Sequence, residues 1–329
     1  MKVDVAILGA TGMVGQRFVQ LLSDHPVFRV AELCASERSA GRRYEDAAPW
    51  RLGGDNPMGG HEVRLCEPGA VRSRVVFSAL DSGVARTLEP AFRDAGHVVL
   101  TNASPFRMAP EVPLLIPEVN PEHAEWVRGK QGYIVANPNC THQALTLALA
   151  PLHRRWGVTG VACASYQAVS GAGYPGESAW DMLGNVHPHA GDEEEKVASE
   201  PKKILDAPDL RISARCVRVP VSDGHLVAAQ VQLAEDPGLD AITEALGRFV
   251  GPYVLHSSPR PLIHVLAGRD RPQPRLDADR GGGMAVSVGR IERCELFTVK
   301  FFALAHNAVR GAAGGAVANA ELLAAKGLL

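Results

Sequence analysis

Cys140 is the side chain of this sequence whose surroundings point most directly to chemistry. It follows Asn137-Pro138-Asn139 and leads into an Ala- and Leu-rich run over 141–156 that reads as a buried helix. Pro138 and the asparagines keep that helix from starting earlier, so the thiol falls at its amino terminus. There the macrodipole and the free backbone N–H groups favour thiolate. A thiolate adds to activated acyl carbonyls to give a thioester or a thiohemiacetal, and a thioester in turn accepts hydride. The other five cysteines, at 34, 66, 163, 216 and 294, have no comparable setting. No C-x-x-C pair, disulfide framework or zinc spacing links the six. Without context, each is a small buried hydrophobe.

A hydride step needs a carrier, and the amino-terminal segment offers a place for one. Gly9-Ala10-Thr11-Gly12-Met13-Val14-Gly15 closes the apolar run Val3–Leu8 and opens a helical stretch. The first two glycines allow a sharp turn and close approach of backbone to a pyrophosphate, while the helix start adds N–H groups and positive dipole. Gly9, Thr11, Gly12, Met13 and Val14 are the candidate cofactor contacts of this turn. Its spacing is G-x-x-G-x-x-G rather than the general G-x-G-x-x-G. At the end of the second strand, where NAD-specific sites place an acidic residue on the ribose, the chain reads Ala35-Ser36-Glu37-Arg38-Ser39. Ser36, Ser39 and the guanidinium of Arg38 suit a 2′-phosphate, so the expected cofactor is NADP. Glu37 turned inward would select NAD instead.

These groups need a frame to hold them. With 329 residues, two domains are expected. The 34 Lys and Arg nearly balance the 36 Asp and Glu, which excludes the global basic field of a nucleic-acid or membrane-surface binder. No basic leader precedes Val3, and no apolar run approaches the roughly 20 residues that span a bilayer. A cytoplasmic protein is therefore expected. Strands are predicted over 3–8, 30–34, 75–80 and 97–101, with helices over 16–22 and 85–95 and a polar excursion over 42–61. This alternation predicts an α/β fold with a Rossmann-like parallel-sheet nucleotide-binding domain over 1–138. Longer strands over 160–169, 214–221, 225–233, 285–290 and 296–305 predict an α+β catalytic and dimerisation domain over 139–307 with a mostly antiparallel sheet. The Ala-rich tail 308–329 ends as a helix expected to pack on the first domain.

Several separated motifs, in order over essentially the whole chain, resemble the aspartate-semialdehyde dehydrogenase family. They are Gly9 to Gly15, Asn137 to Cys140, Tyr166-Gln167-Ala168-Val169-Ser170-Gly171-Ala172-Gly173 and Cys216-Val217-Arg218-Val219-Pro220. Asn102-Ala103-Ser104-Pro105-Phe106-Arg107-Met108 and the tail His306 to Gly314 are similar to its archaeal and fungal branch in particular. The resemblance implies reductive dephosphorylation of L-aspartyl-4-phosphate to L-aspartate 4-semialdehyde with NADPH, a step of lysine, threonine and methionine biosynthesis. Cys140 would be the nucleophile of that reaction.

Further roles follow from the resemblance residue by residue. His225, seven positions after Arg218, matches the family's general acid/base. On a strand, turn and second strand, both side chains would point into one cleft, with imidazole as the base for the thiol. Arg218 would hold the substrate α-carboxylate through a bidentate pair. Arg107 resembles the phosphate-binding arginine, and Gln167 the glutamine that orients the acyl-enzyme. Glu200 and Lys203 match a Glu-x-x-Lys pair on one helix face, Glu200 for the substrate ammonium and Lys203 for phosphate. A solvated charged face would show the same spacing. Ser78, Gly171 and Asn307 are further candidate cofactor contacts. The chain departs from the family at His142, where a small hydroxyl residue is usual. His142 would be either a second proton-active group beside the thiolate or a solvent-facing residue. Pro201 is expected in a first helical turn, and His187-Pro188-His189 replaces an apolar stretch.

Two other readings remain open at this point. The same scaffold and nucleophile serve malonyl-CoA reductase and N-acetylglutamyl-phosphate reductase, so a related acyl donor is one. A non-catalytic NADP-binding module is the other. The expected partners are a small-molecule substrate and a second copy of the chain, as a homodimer or homotetramer, with no nucleic acid and no membrane.

Overall fold

The computed structural model describes residues 2–329, which divide into two compact units. The first comprises Met1–Leu115, Glu122–Asn137 and Ala312–Leu329. Its elements are β1 (Val3–Leu8), α1 (Met13–Leu22), β2 (Phe28–Ala35), α2 (Tyr44–Ala47), β3 (Val63–Leu65), β4 (Val75–Ser78), α3 (Ser82–Asp94), β5 (Val98–Thr101) and β6 (Tyr133–Ala136), with the carboxy-terminal helix Gly314–Ala325. The strands form one parallel sheet in the order β3-β2-β1-β4-β5-β6. Strand order reverses between β1 and β4, the switch point beside which open α/β sheets bind ligands. β4, β5 and β6 are buried along their whole length, which accounts for their continuous apolar runs. The carboxy-terminal helix belongs to this unit: Asn319 Nδ2 donates to Leu115 O at 3.3 Å, and Glu321 Oε1 lies 2.7 Å from His25 Nε2.

Local chemistry explains where this unit departs from the sequence pattern. α1 begins at Met13, ahead of the expected start at Gln16, because Gly12 takes the cap position and its carbonyl accepts the Gln16 N–H at 2.8 Å. Inside the polar excursion, α2 presents Tyr44, whose hydroxyl donates to Ala10 O at 2.7 Å and pins the glycine turn. β3 and β6, only 3 and 4 residues long, are too short to show a period in the sequence.

The second unit comprises Ile116–Pro121 and Pro138–Gly311. It contains α4 (Cys140–Trp156), β7 (Val158–Gln167), α5 (Ala179–Met182), α6 (Glu193–Ile204), β8 (Arg211–Arg218), β9 (His225–Leu233), α7 (Leu239–Gly247), β10 (Ile263–Leu266), α8 (Pro274–Asp277), β11 (Val286–Arg293) and β12 (Val299–Ala305). The sheet order is β10-β11-β12-β9-β7-β8. Its centre is antiparallel as expected, but both edge pairs, β10 with β11 and β7 with β8, are parallel. Each parallel pair is joined through a helix-bearing crossover, the connection that parallel neighbours require. α4 is buried from Thr141 to Leu152, the packing that its Ala- and Leu-rich run called for. Among the described residues, no helix is long and apolar enough to cross a membrane.

Gly15 sets the tightest constraint on the first unit. A Cβ there would stand 2.2 Å from Gly9 O and 2.7 Å from Ala10 Cα, so the turn closes on α1 only without a side chain. Gly9 itself has φ +76°, a left-handed conformation suited to glycine. Gly15→Ala should cost about 1–3 kcal/mol through forced backbone shifts. Urea denaturation would measure the loss, and an unchanged midpoint would contradict the close approach.

Candidate active site

Cys140 is the first residue of α4. Asn139 is the cap: its Oδ1 accepts the Thr141 N–H at 3.0 Å, satisfying one of the orphan donors of the first turn. Gln143 reaches back to Pro138 O at 3.1 Å, so the Asn-Pro-Asn segment is tied to the helix it starts. These bonds fix the thiol at the positive end of the helix.

Three strand ends meet beside this thiol. Gln167 ends β7, Arg218 ends β8 as its register partner, and His225 begins β9 on the other side of β7. Arg218 and His225 lie on a strand, turn and second strand as expected, although β8 and β9 are not neighbours in the sheet, because β7 lies between them. The two side chains converge all the same. His225 Nε2 lies 3.4 Å from Cys140 Sγ. Arg218 Nη1 donates to Gln167 Oε1 at 2.9 Å and to Ala168 O at 3.1 Å. The Ala168 N–H donates to His225 Nδ1 at 3.0 Å. One peptide segment therefore orients both the guanidinium and the imidazole.

That bond settles the tautomer of His225. A nitrogen that accepts a backbone N–H carries no proton, so the neutral ring is protonated at Nε2 and presents Nε2–H to the sulfur. Burial, then the charge of Arg218 and then His306, lowers the pKa of His225 from 6.5 to about 3. The imidazole is thus a neutral donor toward sulfur, an arrangement that suits Cys140 as thiolate. Burial acts the other way on four other thiols. It pushes Cys34 and Cys163 up to about 12 and Cys66 up to about 11, and it raises Cys216. None of those four has thiolate character near neutral pH.

Two glycines make room for the cluster. A Cβ on Gly171 would meet His225 Cε1 at 2.8 Å and Arg218 Nη1 at 2.9 Å, and one on Gly311 would meet Cys140 Cβ at 2.5 Å. Gly311 is positioned by its neighbour Arg310, a fully buried guanidinium that bonds both oxygens of Glu118, at 2.8 and 3.1 Å, and Met284 O at 2.8 Å. Asn307 accepts the Gly224 N–H at 2.8 Å and donates to Ser170 Oγ at 2.8 Å, joining the turns on either side of His225. The sequence motifs contained Gly311 but gave no reason to single it out. Glu118 carried no signal at all, since its role depends on a partner 192 positions away.

Other expected residues fall in less open places. Glu200 is 2 % exposed, and its Oε2 accepts the Asn139 N–H at 2.7 Å and lies 2.8 Å from His142 Nε2. Glu200 is therefore buried at the start of α4 and does not lie on a solvated charged face. His142 is fully buried, with Nδ1 2.9 Å from Thr146 Oγ1, so it neither faces solvent nor stands free beside the thiol. Lys203 is half-buried on the same helix, and Pro201 lies well inside α6 rather than in its first turn. Arg218 Nε lies 3.4 Å from Glu177 Oε1, so a carboxylate of the chain already rests on this guanidinium. The backbone of His187 bonds that of Arg218 in both directions, at 3.0 and 2.8 Å.

In the first unit, Arg107 is buried and its Nη2 donates to Asn102 O at 2.7 Å. Ser78 is also turned inward, a correction to its expected place at a cofactor: its hydroxyl donates to the buried Glu89 at 2.6 Å. The residues from Thr11 to Val14 are accessible, and no side chain caps α1, which leaves its first-turn amides to an anion. Ser36, Glu37 and Arg38 are exposed after β2, and Arg38 has no partner among the described residues. An uncapped helix start and an unengaged guanidinium fit a phosphorylated dinucleotide.

Known proteins match this chain along its length. The family described as "Semialdehyde dehydrogenase, NAD binding domain" matches residues 4–127, and "Semialdehyde dehydrogenase, dimerisation domain" matches residues 149–310. The aspartate-semialdehyde dehydrogenase of the archaeon Archaeoglobus fulgidus is 44% identical, over 98% of this chain and 98% of the relative. That of the fission yeast Schizosaccharomyces pombe is 42% identical, over 99% of each chain. The crystal structure of the Candida albicans aspartate semialdehyde dehydrogenase with NADP superposes with a TM-score of 0.92 at 37% identity, covering 100% of both chains.

The depressed pKa of His225 has a defined consequence. Between pH 6.5 and about 3 the unfolded chain binds a proton at this ring that the folded chain refuses, so stability falls as pH falls through that window. NMR of the imidazole should show a neutral Nε2–H tautomer unchanged down to pH 5. A ring titrating near 6.5 would contradict the buried, backbone-bonded geometry.

Proposed function

This chain belongs to the semialdehyde dehydrogenase family, and on that premise we propose that it forms L-aspartate 4-semialdehyde from L-aspartyl-4-phosphate through a thioester on Cys140. The observation that carries this reading is the 3.4 Å approach of His225 Nε2 to a thiol at the first residue of α4.

The thiolate of Cys140 attacks the acyl carbon, a C–S bond forms, the acyl C–O bond breaks and inorganic phosphate departs. Arg107 and Lys203 are the proposed phosphate ligands, and Arg218, steadied by Gln167, the proposed ligand of the substrate carboxylate. Arg218 already donates to one carboxylate, that of Glu177, which supports the assignment. NADPH, when bound, supplies the hydride that reduces the thioester carbon. Gly9, Thr11, Gly12, Met13 and Val14 would hold its pyrophosphate, Ser36, Arg38 and Ser39 its 2′-phosphate, and Gly171 and Asn307 are further proposed contacts. The resulting alkoxide collapses to the aldehyde as the C–S bond breaks, and His225 Nε2–H stabilises the departing sulfur. With its proton on Nε2, His225 acts first as a donor rather than as the base that strips the thiol.

The relatives named as aspartate-semialdehyde dehydrogenases support the aspartyl substrate, and the Candida structure with NADP supports the cofactor. The dimerisation-domain match over 149–310 supports a homodimer or a larger homo-oligomer. We place the enzyme in the cytoplasm, a reading supported by its similarity to biosynthetic relatives.

In the reverse direction, Cys140→Ala should abolish phosphate-dependent NADPH formation from aspartate semialdehyde. Undiminished turnover in that variant would sink the mechanism. A wild type that reduces malonyl-CoA but not aspartyl phosphate would redirect the substrate assignment. Arg38→Ala should raise KM for NADP by about tenfold, the effect of losing one charged bidentate contact, and leave KM for NAD unchanged. Equal effects on both cofactors would place the 2′-phosphate elsewhere.

A further inference from the structure

Helix α6 places two carboxylates on the start of the helix that bears the nucleophile. Glu193 and Glu200 are seven residues apart, two helical turns, and so share a face. Glu193 Oε1 accepts from Asn139 Nδ2 at 3.0 Å, and its Oε2 from Thr141 Oγ1 at 2.6 Å. Glu200 Oε2 accepts the Asn139 N–H itself at 2.7 Å. The cap residue immediately before Cys140 is therefore held by its backbone and its side chain at once.

Carboxylates at a helix start satisfy orphan N–H groups and suit the dipole. One residue from a catalytic thiolate they also oppose its negative charge, which would raise the thiol pKa unless each is compensated. Each has its own compensating donor. Lys196 Nζ lies 3.0 Å from Glu193 Oε1 and 2.6 Å from Asp192 Oδ1. His142 Nε2 lies 2.8 Å from Glu200 Oε2, and since a carboxylate has nothing to donate, this nitrogen carries the proton of the bond. Both members are buried, at 0 % and 2 % exposure of the side chains.

We infer that His142 and Glu200 form a positioning pair, in which Glu200 anchors the Asn139 N–H and His142 neutralises the effect of that anchor on Cys140. His142 acts on the thiolate only through Glu200. The inference rests on the reading of Cys140 as nucleophile, but its test does not use the enzyme's substrates. The rate of iodoacetamide alkylation of Cys140 is measured against pH in the full-length protein, with peptide mapping to count only this thiol. Glu200→Gln keeps the shape and an acceptor oxygen but removes the charge. It should lower the thiol pKa and speed alkylation at pH 6.5 by roughly threefold to tenfold. His142→Leu removes the donor and should raise the pKa by a similar factor. In the double variant, the effect of His142→Leu should vanish.

Shifts in the same direction, additive shifts in the double variant, or wild-type profiles in all three would overturn the pairing. Should His142→Leu fail to fold, His142→Gln, which keeps an N–H donor, provides the comparison. It should restore a profile near the wild type, and a profile unlike it would count against the pair. If alkylation behaves as stated while Cys140→Ala retains turnover, the catalytic reading fails and the positioning pair stands.

Discussion

The backbone N–H of Ala168 decides which nitrogen of His225 carries its proton, and the rest of the site depends on that choice. Held at Nδ1 by this bond, the ring turns Nε2–H toward Cys140 Sγ. The same segment offers Ala168 O to Arg218, so the guanidinium and the sulfur-facing imidazole share one support. A base that had to take the thiol proton would need Nε2 bare. The observed geometry instead pairs a neutral donor with a sulfur that the helix start already favours as thiolate. In the proposed reaction the contribution of this site is a set of preorganised donors rather than an ionised imidazole.

Keeping this arrangement requires close packing on every side. Gly171 leaves room for both His225 and Arg218, and a side chain on Gly311 would collide with Cys140. The position of Gly311 is set by the buried Arg310–Glu118 pair. Such a pair stabilises little relative to an apolar replacement, yet breaking it by removing one partner costs about 3–5 kcal/mol. Its contribution is to define one location for the turn beneath Cys140. The two carboxylates of α6 do the corresponding work above it, on the cap of α4.

Much of this was legible in the amino-acid order where the determinants are local. The Asn-Pro-Asn stop before Cys140, the glycine turn after β1 and the buried strands of the first sheet all follow from neighbouring residues. The mixed second sheet was not, because strand order is set by partners far apart in sequence, and β7 intervenes between β8 and β9. Charged spacing was equally ambiguous. A Glu-x-x-Lys face looks the same whether solvated or buried, and only the tertiary fold turns Glu200 inward onto Asn139 and His142. Ser78 went the same way, its hydroxyl taken by Glu89 inside the core. His142, a departure from the resembling family, proved to be a packed partner rather than an exposed oddity.

The central claim is that a covalent acyl-enzyme forms on Cys140. Intact-protein and peptide mass spectrometry after mixing the enzyme with aspartyl phosphate, without any nicotinamide, tests it most directly. The account predicts a hydroxylamine-labile aspartyl adduct on the peptide containing Cys140, formed with release of one phosphate per adduct. An adduct on another residue, or phosphate release with Cys140 unmodified and still fully alkylatable, would contradict it.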